Sequence, residues 1–111
     1  MKDIIRASAR LALLRYLHDD PDYCQNISVL GDLLTAIGFD MSRAELETMA
    51  TWLSERDLVV LDKTGPVAMV RLTERGAGVV AGRVVVEGVK RPSPTDIMKA
   101  AANAGRNILE S

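Results

Sequence analysis

The sequence has few of the residues on which reactive or cross-linked proteins depend. Its 111 residues include one cysteine, one histidine and 4% aromatic residues. Because Cys24 has no second cysteine, no disulfide can form within the chain, and nothing indicates an oxidising compartment. His18 is the sole histidine base for a Ser–His–Asp triad, and no nucleophile elbow accompanies it. We therefore expect a cytoplasmic protein that is not an enzyme.

Long hydrophobic runs are also missing. The longest apolar stretches fall far short of the roughly 20 residues that cross a bilayer, and Arg6 and Arg10 interrupt the apolar N-terminus where a signal peptide would be continuous. Hydrophobic residues nonetheless make up 48% of the chain, which is enough for one modest core. We expect a single soluble domain without a membrane partner.

Charge is balanced overall but not along the chain. The formal net charge is -1, yet residues 1–57 hold six basic and ten acidic residues, whereas residues 58–111 hold eight and five. An anionic partner should therefore approach the C-terminal half first.

Apolar residues recur at spacings of three and four in the first half of the chain, which predicts three amphipathic helices. The first covers residues 3–17. The second takes Ser28 as its N-cap and ends at Gly38, a residue typical of left-handed caps. The third begins with a capping box, in which Ser42 and Glu45 each bond a free backbone N–H.

The pattern changes to that of strands after the third helix ends at about Arg56. Residues 58–61 and 67–72 are rich in β-branched or alternating apolar residues, and residues 62–66 carry turn chemistry, which together predict a hairpin. Residues 23–27, before the second helix, are either a connector or a brief edge strand.

The remainder of the chain predicts two more helices with a link between them. Thr73 caps a short fourth helix over residues 74–81. Residues 83–86 have the composition of an extended segment, and residues 88–94 that of a linker. The last helix covers residues 96–109, and the prolines of the linker should hold it away from the body.

These elements predict a mainly α fold of the α+β class, namely a winged helix-turn-helix with a three-helix core, a β-hairpin wing and an additional C-terminal helix. The predicted organisation is a winged-helix domain over residues 1–82, an extended linker over residues 83–95 and a C-terminal helical arm over residues 96–110.

Two stretches also resemble known proteins. Residues 52–59, followed by a turn and then Val70–Gly76, are similar to bacterial winged-helix regulators. More narrowly, residues 10–94 resemble the small winged-helix proteins of Mu-like phages and prophages, which are similar to arsenic-repressor-type (ArsR-like) transcriptional regulators. The most specific parts are Leu72–Gly76, Ala81–Arg83 and Gly88–Pro94.

The resemblance implies a phage-encoded winged-helix regulator that binds duplex DNA. The metal-sensing arsenic repressors bind through cysteine pairs on a helix. Because this chain has one cysteine, neither a metal site nor a cofactor is expected.

The third helix is a poor reader of DNA on its own. Helical projection places outward a set of five residues, two of them acidic: Ala44, Glu47, Thr48, Thr51 and Glu55. DNA readers usually present Arg, Asn or Gln to base edges and cations to phosphates. The hairpin and the segments after it carry more cations. The predicted DNA contacts are therefore Arg43, Thr48 and Thr51 nearest the bases, with Lys63, Arg71, Arg75, Lys90 and Arg91 as the cationic set.

Two functions stay open at this point. One is a DNA-binding regulator that acts as a dimer. The other is an interaction module that uses the acidic helix face to hold a phage or host protein.

Other candidate sites have simpler explanations. Glycine-rich residues 76–82 resemble a dinucleotide loop, but the βαβ unit that such a loop needs is missing, and close packing of a short helix accounts for them. The acidic run around His18 and Cys24 contains metal-ligand types, yet a solvated turn explains it. Trp52 lies at the edge of the core stripe and either packs there or anchors an interface.

The last helix carries small residues on its apolar side, which allow two helices to approach closely. We expect it to pack on a second subunit, with the first helix as a possible addition, to form a homodimer; the alternative is a frayed tail. The dimerisation residues are Ile97, Ala101, Ala104, Gly105 and Ile108.

Overall fold

The computed structural model describes the backbone of residues 2–110 and the side chains of residues 3–103. Within them the chain forms five helices and one three-stranded antiparallel sheet, an α+β fold. The elements in chain order are α1 (Lys2–Asp19), β1 (Cys24–Asn26), α2 (Ile27–Ala36), α3 (Arg43–Glu55), β2 (Val59–Asp62), β3 (Met69–Leu72), α4 (Glu74–Val80) and α5 (Pro94–Glu110).

The core is aliphatic, and α1 lies at its centre because it packs against α2, α4 and α5. Leu13, Leu14 and Leu17 of α1 are completely buried. Leu34 of α2 and Leu53 of α3 are also fully buried and belong to the same core cluster. Each such leucine contributes about 1.5–3 kcal/mol by leaving water.

The sheet has the order β1-β3-β2, so the last strand in sequence lies in the middle. Arg71 of β3 is paired with Cys24 on one side and with Val60 on the other. Val70 and Leu72 are buried, whereas Met69 and Arg71 are exposed, as the alternation of side chains along a strand requires. Residues 24–26 are therefore an edge strand and not merely a connector.

The capping box of α3 is confirmed. The Ser42 hydroxyl accepts from the Glu45 N–H at 3.1 Å, and the Glu45 carboxylate accepts from the Ser42 N–H at 3.0 Å. The prediction for α2 is wrong by two residues, because Asn26 and not Ser28 is its N-cap. Asn26 ends β1 in extended geometry, and its side chain accepts from the Val29 N–H at 2.8 Å.

Two helices end in the same motif with different residues at its left-handed position. After α2, Gly38 has φ 99°, and the Phe39 N–H donates to the Leu34 carbonyl at 2.9 Å. After α3, Asp57 takes that position with φ 60°, and the Leu58 N–H donates to Leu53 at 3.1 Å. Both are Schellman caps, and the second uses a residue that pays a steric penalty there.

Residues 83–93, called the strap below, are irregular but lie against the body. The extended segment predicted over residues 83–86 forms no strand. Val86 and Val89 of the strap are buried, and the Lys90 N–H donates to the Ala7 carbonyl of α1 at 3.1 Å. Burial of the two valines removes apolar surface from water and so stabilises the packing of the strap on the body.

The last helix begins two residues earlier than predicted and is not held away from the body. Ser93 and Asp96 bond each other's backbone N–H at 3.1 Å, with Pro94 at the first helical position, where a missing N–H costs nothing. Arg15 of α1 forms an ion pair with Asp96 at 3.2 Å, and Ala100 is 4% exposed. The division of the chain into domain, linker and arm stays a prediction.

Candidate functional site

The outward face of α3 is the first candidate surface. Leu46, Met49, Ala50 and Leu53 are buried, so the predicted inward stripe is confirmed. The opposite side, which includes Thr51, is exposed. The helix therefore presents to solvent the face that the projection predicted.

Neighbouring groups already hold the polar side chains at the beginning of that face. The Arg43 guanidinium forms an ion pair with Glu47 at 3.3 Å and donates to the Ser28 hydroxyl at 2.8 Å. The Thr48 hydroxyl donates to the Ala44 carbonyl at 2.9 Å. Arg43 is thus neutralised locally, a pairing that its i,i+4 spacing from Glu47 would have indicated.

The hairpin carries two exposed cations. Lys63 lies in the turn, whose geometry is held by Asp62: its carboxylate accepts from the Thr64 hydroxyl at 2.6 Å and from the Thr64 N–H at 2.9 Å. These bonds lower the pKa of Asp62. Arg71 projects from the outer face of the sheet, next to the exposed Val60.

The other predicted cations lie on different elements. Arg75 of α4 is exposed, and its Nε donates to the Arg56 carbonyl at 3.1 Å, which places it at the C-terminal end of α3. Lys90 and Arg91 are exposed on the strap, whose backbone at Lys90 bonds α1. The predicted set is therefore distributed over α3, the hairpin, α4 and the strap.

A stacked cluster, called the clasp, was not predicted from the sequence. Trp52 is half-buried between two guanidinium groups, with the Cζ of Arg10 at 3.8 Å and the Cζ of Arg56 at 3.6 Å from its ring centroid. Arg10 also donates to the Gly88 carbonyl at 2.9 Å. The clasp therefore joins α1, α3 and the strap. The only sequence signal was the position of Trp52 at the edge of the core stripe.

Arg10 occupies an unfavourable electrostatic position in the clasp. Burial lowers the pKa of its guanidinium, the charges of Arg56 and Arg6 add to that effect, and Asp3 opposes it. Within residues 3–103 its Nε is buried without a hydrogen-bond partner. Stacking on Trp52 compensates part of this cost, since cation–π contacts contribute about 0.5–2 kcal/mol.

A groove of about 590 Å³ lies beside the clasp, between α1 and α3. We call it the α1–α3 groove. Ile5 and Ala9 of α1, Phe39 of the loop, and Met49 and Trp52 of α3 give it an apolar lining. Its volume is within the range of about 300–1,000 Å³ that small-molecule sites occupy, but its open side faces solvent.

The two walls of the α1–α3 groove carry opposite charges. Arg6 and Arg10 lie on the α1 side, and Asp40 and Glu45 lie on the side of the loop and α3. Glu45 has a lowered pKa because its carboxylate accepts the Ser42 backbone N–H. An occupant of this groove would have to match a bipolar rim.

The predicted dimerisation residues do not share one environment. Ile97 is half-buried in its own chain and lies so close to Gly82 that a Cβ there would be 2.7 Å from its Cδ1. Ala101 is exposed. The side chains of Ala104, Gly105 and Ile108 lie outside the described residues.

The acidic turn after α1 brings together fewer ligand types than its sequence contains. His18 is 7% exposed and meets the ring of Tyr23 edge to face, and Cys24 is half-buried on the edge strand. Among residues whose side chains are described, no three His, Cys, Asp or Glu residues are grouped closely enough to hold a metal ion. No helix in that part of the chain is long and apolar enough to cross a membrane.

Comparison with known proteins identifies the family. The uncharacterized protein gp26 of Escherichia phage Mu is 39% identical to this chain over 94 residues, which are 85% of this chain and 97% of gp26. This chain therefore belongs to the same family of phage proteins as gp26 of phage Mu.

A second relative is more distant. An uncharacterized protein of Haemophilus influenzae is 34% identical over 62 residues, which are 56% of this chain and 60% of that protein. No family model matches the chain. No solved structure matches it either.

Proposed function

We propose that this chain is a winged-helix protein that binds duplex DNA as a non-enzymatic regulator in a phage or prophage. The observation that carries the proposal is the order α1-β1-α2-α3-β2-β3, with an exposed outer face on α3 directly before the hairpin. In winged-helix proteins the third helix enters a major groove and the hairpin reaches the adjacent phosphates.

The distribution of charge favours different roles for the hairpin and for α3. Lys63 and Arg71 on the hairpin are exposed, as is Arg75 of α4 beside the C-terminal end of α3, and the three form no ion pair within the described residues. They are suited to neutralise phosphates. Arg43 must leave Glu47 before it reaches a base. The proposal therefore predicts binding with a strong salt dependence and modest sequence preference.

Anisotropy titration of labelled fragments of the genome that encodes the chain tests this proposal. Apparent affinity should fall steeply between about 50 mM and about 200 mM salt. Arg71→Gln should weaken binding to all fragments and reduce the salt slope by about 1, as the loss of one phosphate contact does. Lys99→Gln, which removes an exposed cation of α5, is the matched control. Absence of salt-dependent binding at about 10 μM protein would refute the proposal.

A second candidate function is protein interaction through the same fold, and two observations favour it. Glu47 and Glu55 are exposed on the outer face of α3, and Glu47 forms an ion pair with Arg43 at the N-terminal end of that face. On the outer face of the sheet, Val60 is 54% exposed and Met69 is 36% exposed. Exposed apolar residues beside charge are typical of protein interfaces.

Charge reversal separates the two functions. Glu47→Lys and Glu55→Lys should leave DNA binding unchanged or tighten it, because each adds a cation to the face nearest the bases. If the outer face of α3 instead binds a protein partner through its acidic residues, the same variants should lose that partner in a pull-down. Under this second function, wild type should not bind DNA.

A further inference from the structure

The N-terminal turn of α1 projects beyond the core with two large apolar residues. Ile4 is 71% exposed and Ile5 is 54% exposed, whereas Ala9 is the first buried residue among those from position 3 onwards. A partner that covers these two adjacent isoleucines would remove apolar surface from water, which stabilises the complex.

The surface beside this turn is apolar as well. The α1–α3 groove begins at Ile5 and continues to Phe39 and Met49. Ile37, next to the groove-lining Gly38, is 52% exposed. Ile5 therefore belongs both to the exposed N-terminal turn of α1 and to the lining of the groove, and Ile4 is its neighbour on that turn.

The charges of that face can pair with those of an identical face. Arg6 lies on the α1 wall, and Asp40 and Glu45 lie on the opposite wall. Within residues 3–103 none of the three forms an ion pair. In a two-fold interface the same patch meets itself, and the orientation that sets the basic wall of one copy against the acidic wall of the other is the one that pairs opposite charges.

We infer that the α1–α3 groove is a self-association surface that receives the N-terminal turn of α1 from a second copy of this chain. Two such turns exchange reciprocally: Ile4 of each copy covers the apolar lining of the other, and Arg6 of each meets the partner's acidic wall. The inference does not depend on DNA binding, because it concerns assembly in the absence of nucleic acid, and it places in the interface Thr48, which lines the groove and is also predicted to lie near the bases.

Sedimentation equilibrium of the full chain tests the apolar half of the inference. Wild type should dimerise reversibly, and Ile4→Glu should weaken the dimer at least about tenfold, as the loss of a buried interface anchor does. The matched control is Val85→Glu, on the strap, where the valine is 57% exposed. The inference is overturned if wild type stays monomeric up to about 1 mM, because a dissociation constant above that value is too weak for a specific interface. It is also overturned if the Ile4→Glu variant dimerises like wild type.

Met98→Glu separates this surface from the α5 arm. Met98 is 73% exposed on α5, so the variant should dimerise like wild type if the groove holds the interface. Loss of the dimer in Met98→Glu with an intact dimer in Ile4→Glu would assign the interface to α5 and overturn the inference.

A charge swap tests the electrostatic half. Arg6→Glu and Asp40→Arg should each weaken the dimer, because each places like charges across the interface, and the double variant should recover most of the affinity. Glu45 is left unchanged because it holds the capping box. Far-UV circular dichroism confirms the fold of each variant. No recovery in the double variant would contradict the facing of these two walls.

Trp52 supplies an internal reporter, since it lines the groove and is the single tryptophan of the chain. Its emission should shift to shorter wavelength as concentration rises and the groove is covered, with the same midpoint as the sedimentation data. Val85→Glu should reproduce this shift and Ile4→Glu should displace it to higher concentration. A concentration-independent spectrum in a sample that does dimerise would place the interface elsewhere.

Discussion

The two ends of α3 are stabilised in different ways. At its N-terminal end, Ser42 and Glu45 satisfy each other's backbone N–H groups across three residues. At its C-terminal end, Trp52 and Arg56 stack in the clasp with Arg10, which in turn bonds Gly88, 78 residues away. The N-terminal end is held by a local motif alone, whereas the C-terminal end adds to its local Schellman cap a clasp that forms only when three distant segments have come together.

This difference has a physical consequence for the candidate site. A capping box needs no tertiary structure, whereas a contact between distant segments must first overcome the entropy of closing a long loop. The C-terminal end of α3 therefore depends on the strap and on the hairpin for its position. Substitutions there should have larger effects than substitutions at the N-terminal end, and the predictions below follow that order.

The largest effect is expected at Gly76, where α4 packs on the residue that follows the α3 cap. A Cβ at Gly76 would overlap the Leu58 carbonyl oxygen and lie 2.7 Å from Leu72 Cδ1, so the backbone must move. Gly76→Ala should lower the free energy of unfolding by about 3 kcal/mol in urea denaturation, at the upper end for overpacking. Gly65→Ala, whose Cβ would be 3.9 Å from the Val67 carbonyl oxygen, should change it by less than about 0.5 kcal/mol. Equal effects at the two glycines would contradict the close packing of α4.

Gly88 allows a direct measurement of the clasp. Gly88 has φ 95° and Gly38 has φ 99°, so alanine is strained equally at both, but only at Gly88 would the Cβ meet Trp52, at 2.8 Å. Gly38→Ala should cost about 1 kcal/mol from backbone strain alone. Gly88→Ala should cost about 1–2 kcal/mol more because the strap must withdraw from Trp52.

The measurement is urea denaturation of both variants, with Trp52 emission as a second signal. The Gly88 variant should show a more solvent-exposed Trp52 already in its native baseline, whereas the Gly38 variant should not. Equal losses with unchanged emission would mean that the strap does not hold the clasp together.

These two ends also explain how much could be predicted from the sequence. The capping box, the core stripe of α3 and the cap at Thr73 depend on residues within one turn of each other, so their spacing was sufficient. The clasp was missed because nothing in the local pattern relates Arg10 to Trp52 or to Gly88. The N-cap of α2 was predicted at Ser28, but Asn26, which is also a residue type common at N-caps, takes that position where β1 ends its pairing with β3. For the site, the outward residues of α3 were predicted, but the ion pair between Arg43 and Glu47 was not.

A smaller effect of opposite sign is expected at Asp57, which holds the left-handed position of the α3 cap with φ 60°. Asp57→Gly removes the steric penalty of a side chain there, so it should raise stability by about 0.5–1 kcal/mol, less what the unfolded glycine gains in entropy. Thermal unfolding should show a rise of a few degrees. Asp40→Gly, an exposed aspartate outside the left-handed region, should give no rise. A lower midpoint for Asp57→Gly would show that the carboxylate itself stabilises the cap.

The smallest effect is expected for Glu45→Gln, at the N-terminal end of α3, and it depends on pH. The Ser42 N–H bonded to Glu45 holds the pKa of that carboxyl below its ordinary value, so its folded pKa is lower than the unfolded value of about 4.3. Its contribution is therefore fully present above about pH 4.3 and is lost as the pH falls through the folded pKa. Glu45→Gln keeps a capping-box side chain but has no titrating proton, so its stability should fall less than that of wild type between about pH 5 and about pH 3 in urea titrations.

Ser42→Ala, which lacks the hydroxyl acceptor, should instead lose about 1 kcal/mol at neutral pH. Parallel pH profiles for wild type and Glu45→Gln would mean that the Glu45 carboxylate does not make the stability of α3 depend on pH. The acid sensitivity of the fold would then be assigned to Asp62 and Asp96, because hydrogen bonds from Thr64 and Ser93 lower their pKa values in the same direction.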